Sequence, residues 1–223
     1  MTTFKPSKDW DWDQDYRVAT LEQVTDHGVY RAKIERDEYP EQPENDGGYP
    51  VVRIDTNRGY SFKPEMTGYG NGYDDGLSRP ADEILAYFHE RTGDSRGAID
   101  MFERYLRIFH DGNLSEYGPN QGTDYHYVAF ATRTLWESWG NDGEVGKAEL
   151  DEYRYWIEGD VYGVDVEKAV SFDSDDEPDV WESVGEVECW GFFGEDYAKQ
   201  TAQDELTAEI KAVAATMLPL VTA

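Results

Sequence analysis

The side chains in this chain that could do chemistry are four histidines, one cysteine and 48 carboxylates. His89, His110, Asp111 and Asp124 come closest to a metal centre. Imidazole and carboxylate ligands suit a di-metal hydrolytic site, which would make the chain a metal-dependent phosphohydrolase. Against this, His89 and His110 fall near the ends of helix-like segments, where an imidazolium suits the helix dipole and can donate to the last carbonyls. The strand-like run after Gly122 also does not fit an all-helical hydrolase core. Asp173-Ser-Asp-Asp-Glu-Pro-Asp179 begins like a calcium loop. However, Pro178 stands where the loop needs Gly, and Val184 where it needs a bidentate Glu. A solvated turn is the expectation there.

Other catalytic patterns are missing. Gly68-Tyr-Gly-Asn-Gly72 lacks the Lys-Ser/Thr that completes a phosphate loop. No G-x-S-x-G marks a nucleophile elbow. Cys189 lies between Glu188 and Trp190, and acidic neighbours oppose thiolate formation. A single cysteine allows neither an internal disulfide nor a zinc knuckle, so a reducing compartment is the natural setting. Among so many acids, no glycosidase-like pair can be singled out. The chain is therefore expected to be non-enzymatic, with no cofactor and no metal.

Charge carries the strongest signal. The 223 residues hold 48 acids and 20 bases, a formal charge of -28. Residues 1–136 are net -10, residues 137–223 net -18, and the stretch 137–196 alone is net -17. Coating nucleic acid needs clustered Lys and Arg, so direct nucleic-acid binding is excluded, as is adhesion to an anionic membrane surface. The start, Met1-Thr-Thr-Phe-Lys-Pro6, has no apolar h-region. The longest apolar tract, Ala212 to Val221, is too short to span a bilayer. With 39% hydrophobic residues and 32 aromatics, the chain can bury a core.

The elements that must carry these charges follow from periodicity. Short strands are expected at Tyr16–Val24, Gly28–Ile34, Pro50–Ile54 and Tyr125–Phe130. Pro80 opens a helix, with Ser78 as its expected cap. Ala98, Ile99, Phe102, Tyr105, Leu106 and Phe109 set a second helix by their spacing. Asp111 to Gly122 is expected to be a loop, and Leu135–Trp139 and Lys147–Ile157 helical. Tyr162 to Phe172 alternates as a half-buried strand, Asp173–Asp179 forms an acidic turn, and Trp181–Trp190 is its partner strand. A long helix runs from Glu195 to Met217, with Tyr197, Thr201, Leu206, Ile210, Val213 and Met217 toward the core. The fold class is α+β: short antiparallel strands and a C-terminal hairpin packed with three to five helices, including that long one. One domain over 1–223 is expected, with a subdivision near 68–80 between a strand-rich part (1–67) and a mixed part (81–223). Most tryptophans should be core anchors, with Trp10 and Trp12, amid four Asp, as the exposed exception.

Three stretches carry a resemblance. They are Ala98-Ile-Asp-Met-Phe-Glu-Arg-Tyr-Leu-Arg-Ile-Phe-His110, Tyr117-Gly-Pro-Asn-Gln-Gly-Thr-Asp-Tyr125, and Trp156-Ile-Glu-Gly-Asp-Val-Tyr-Gly163 with Cys189-Trp-Gly-Phe-Phe-Gly-Glu-Asp-Tyr-Ala198. Over about half the chain they resemble small acidic proteins encoded by phages of actinobacteria, a group without an established activity. The resemblance implies an accessory protein working in the host cytoplasm. B-DNA carries one negative charge per ~1.7 Å of axis, so 28 charges match roughly 48 Å of duplex. The expected function is inhibition of a basic, nucleic-acid-binding host protein by DNA mimicry, as in anti-restriction. The expected contact residues are Asp173, Asp175, Asp176, Glu177, Asp179, Glu182, Glu186 and Glu188. An acidic binding domain without mimicry is the plainer alternative.

Overall fold

The computed structural model describes residues 9–13, 17–43, 48–56, 62–67, 75–118, 125–139, 145–184 and 189–217. Among them are five helices and two antiparallel sheets, an α+β fold with a long C-terminal helix. The chain forms two compact units, residues 1–41 with 155–223, and residues 42–154. The sequence division expected near 68–80 falls within the second of these.

In the first unit, β1 (Asp11–Asp13), β2 (Val18–Thr25), β3 (Gly28–Arg36) and β8 (Val161–Phe172) pair in that order. The far edge of β8 is shared. β9 (Pro178–Ser183) pairs with its C-terminal half and β10 (Cys189–Phe193) with its N-terminal end. The single partner strand expected over 181–190 is thus two strands, and β9 starts three residues earlier. The β2–β3 turn is closed by Thr25, whose hydroxyl donates to the Gly28 carbonyl and accepts from the His27 N–H. Strand alternation sends Ala19, Tyr30, Ala32, Ile34, Tyr162, Val164 and Val166 to one face. There they meet Ala198, Ala202 and Leu206 of α5 (Glu195–Met217). The buried side of the helix therefore runs through Ala198, Ala202 and Leu206 at i, i+4 and i+8, and Tyr197 stands 62% exposed. Small residues on both layers let helix and sheet approach closely, a preference that apolar size alone does not reveal. Trp10 and Trp12 also pack on this core, correcting their expected exposure. Trp12 donates to Glu195 at 3.1 Å, and the Lys199 ammonium lies over both rings.

In the second unit, β5 (Lys63–Thr67), β4 (Val51–Asp55), β7 (Tyr125–Ala131) and β6 (Asn113–Tyr117) form a four-stranded sheet in that order. The expected 111–122 loop thus contains β6. On one face Val52, Ile54, Val128 and Phe130 pack against α1 (Ala81–Thr92) and α2 (Ser95–Phe109). α1 starts after Pro80 without a side-chain cap, so Ser78 does not serve as one, and it ends at Gly93 in the left-handed region. Asp94 then caps α2 by accepting the Gly97 N–H at 2.6 Å. α3 (Arg133–Trp139) follows β7. On the sheet's other face Tyr153 of α4 (Lys147–Glu158) stacks on Tyr127, with centroids 4.5 Å apart.

Candidate functional site: an acidic hairpin beside a polar sheet face

The face of the first sheet opposite α5 carries polar rows. Register places Glu22, Arg31, Glu167 and Ser183 side by side on β2, β3, β8 and β9. Cross-strand neighbours on one face interact, and here Arg31 stands between the two carboxylates. Arg31 pairs with Glu167, and its guanidinium lies 4.2 Å over the Trp181 ring. Lys33 reaches Glu35 at 3.1 Å and Glu167 at 4.0 Å. Asp165 accepts from the Ser183 hydroxyl at 2.7 Å. Trp190, 48% exposed, lies over Gly163, where any Cβ would meet its ring at 2.6 Å.

The hairpin that joins β8 to β9 differs in its charge balance. Asp173 builds the turn: its carboxylate accepts the N–H groups of Asp175 and Glu177, both at 2.9 Å. Its own N–H donates to the Glu177 carbonyl at 2.9 Å, and Asp176 takes a left-handed φ of 64°. The Asp176 N–H also donates to the Asp173 carbonyl at 3.3 Å, so a turn closed by a left-handed residue connects the two strands. The Asp173 oxygen is turned onto the backbone, which makes the segment a hairpin and not a calcium loop. Asp173, Asp175, Asp176, Glu177, Asp179 and Glu182 are all exposed. None of the six forms an ion pair with a described residue. Val170, Phe172 and Val180 are exposed beside them. Glu22 marks the boundary of this charge: burial pushes its carboxyl upward, Arg31 opposes this, and Asp11 and Glu177 add to it. The structure thus brings six of the eight expected residues onto one hairpin, and Glu186 and Glu188 lie outside the described residues.

The alternative metal set is dispersed. The His89 ring stacks on Phe62 with centroids 4.1 Å apart. His110 caps the C-terminus of α2, with its ring 4.9 Å from Tyr105. Asp111 follows it in the left-handed region, and Asp124 lies outside the described residues. Among the described residues, no three His, Cys, Asp or Glu side chains gather as a metal site. Cys189 is exposed on β10.

One polar chain escaped the sequence reading. Glu116 on β6 bridges Arg96 of α2 and His126 of β7, with the imidazole 3.0 Å away. Burial lowers the His126 pKa, while Glu116 pulls it up and Arg96 pushes it down. No local spacing signals this contact, because it depends on the pairing of β6 with β7. No helix among the described residues is long and apolar enough to cross a membrane. No family model, curated protein or solved structure matches this chain.

Proposed function

We propose that the chain is a non-catalytic binding protein whose β8–β9 hairpin seats on a basic surface of a nucleic-acid-binding protein. One observation carries the reading. Six exposed carboxylates on this hairpin have no cationic partner among the described residues, while Arg31, Lys33, Arg36, Arg53, Arg96 and Arg133 are each committed to an acid elsewhere.

Charge density narrows the mimicry. From Glu177 to Glu182 a strand advances about 17 Å at ~3.4 Å per residue. One strand of B-DNA carries about five phosphates over that length, and the duplex about ten. Three of the six carboxylates, Glu177, Asp179 and Glu182, lie along that length and the other three sit in the turn at its end, a density nearer to one phosphate strand than to a duplex. The proposed target is a groove that tracks one nucleic-acid backbone, and the proposed setting is the cytoplasm of a phage-infected bacterium. Such grooves attract opposite charge through long-range steering that salt weakens.

The test uses the full chain as immobilised bait. It should retain a single-strand-binding protein at about 50 mM salt, and both oligonucleotide and about 0.5 M salt should release that protein. A variant with Asp175→Asn, Glu177→Gln, Asp179→Asn and Glu182→Gln should lose it. Retention that survives the fourfold neutralisation, or no retention at low salt, refutes the proposal.

A further inference from the structure

The second unit holds a cleft of about 400 Å³ lined by Ser78, Arg79, Glu83, Ile84, Tyr87, Phe88 and Tyr105. That volume lies within the range of small-molecule sites, roughly 300–1,000 Å³, which are mostly apolar with a few placed polar groups. The wall is aromatic. Phe88 and Tyr105 meet edge to face at 6.0 Å, and Tyr87 lies 5.8 Å from Phe88. Ile84 closes the floor and is buried. Two charges of opposite sign stand at the rim, Arg79 just ahead of α1 and Glu83 in its first turn. The two are not within ion-pairing distance of each other, and neither side chain has a hydrogen-bond or ion-pair partner among the described residues. Both are exposed, so neither is satisfied by the fold.

We propose that this cleft binds a free aromatic α-amino acid. The ring lies against Tyr87, Phe88, Tyr105 and Ile84, because offset and edge-on ring contacts add to area burial. Arg79 takes the carboxylate through its planar fork, and Glu83 takes the ammonium. Because the rim carries one charge of each sign, a zwitterion meets both of them. A ligand with one charge leaves the opposite rim group without a partner and gains half the polar contacts. This site is separate from the acidic hairpin and does not depend on it.

The test is a titration of the full chain with L-phenylalanine, followed by calorimetry or by amide chemical shifts. One-to-one saturable binding is expected. Phenethylamine and 3-phenylpropionate should each bind about tenfold more weakly, the loss of one charge-assisted hydrogen bond. Arg79→Gln should weaken phenylalanine and 3-phenylpropionate but leave phenethylamine unchanged, and Glu83→Gln should do the reverse. Both positions are exposed, so the variants keep the fold, and circular dichroism checks this. No saturable binding by on the order of 10 mM, or phenylalanine binding that neither variant weakens, overturns the proposal.

Discussion

Gly112 and Gly163 both fill places where a Cβ does not fit, yet their substitution should differ in cost. At Gly112 the added carbon would lie 2.3 Å from the Ala131 carbonyl oxygen, which is fixed by the sheet. Gly112→Ala should therefore lose about 1–3 kcal/mol, measured by urea unfolding. At Gly163 the obstacle is the half-exposed ring of Trp190, which can swing away. Gly163→Ala should shift tryptophan fluorescence more than it shifts the unfolding midpoint. The Tyr127 hydroxyl is buried with no hydrogen-bond partner among the described residues, and burial pushes its pKa up to about 12. The folded state thus holds this proton more tightly than the unfolded chain, whose tyrosines titrate near 10. The stability this proton contributes is present below pH ~10 and is lost as pH rises to about 12, by up to roughly 3 kcal/mol. Unfolding midpoints at the two pH values read this, and Tyr127→Phe should flatten the profile without cost near neutrality.

At the scale of elements, α2 was legible from its apolar spacing, and the structure adds its Asp94 cap. Asp94→Ala should cost about 1 kcal/mol, and Asp94→Asn much less, by thermal denaturation. α5 was legible in extent and, at Leu206 and Ile210, in orientation, but not at Tyr197 or at its two buried alanines. Its buried side is set by Ala198 and Ala202, and propensity ranks alanine as a good helix former anywhere along the helix. Ala202→Leu should overpack the sheet and cost about 1–3 kcal/mol, while Tyr197→Ala should be close to neutral. β6 was not legible, because its Gly- and Asn-flanked polar segment gains strand character only from pairing with β7. The same holds for the acidic site. The turn residues announced the hairpin, but which acids lack a cation follows from long-range register, as between Arg31 and Glu167.

For the whole molecule, a charge of -28 opposes compaction, so screening should stabilise the fold. The melting temperature should rise between about 10 and 150 mM salt, over which the Debye length falls from ~30 to ~8 Å. Under the proposed function, affinity for a basic partner falls over the same range. Opposite salt slopes for folding and binding are the expected signature. If both rise together, the contact is apolar and not electrostatic. Net charge and its bias toward residues 137–223 were visible in the composition, whereas the local neutralisation by arginine was not.

Residues 42–154 interrupt the unit built from 1–41 and 155–223, so Arg31 and its partner Glu167 are 136 residues apart. A ribosome adding 5–20 residues per second needs roughly 7–27 s to bridge that interval. During that wait the β3 edge that β8 later pairs with stays open and no helix covers the early hairpin, long enough for a chaperone to hold it.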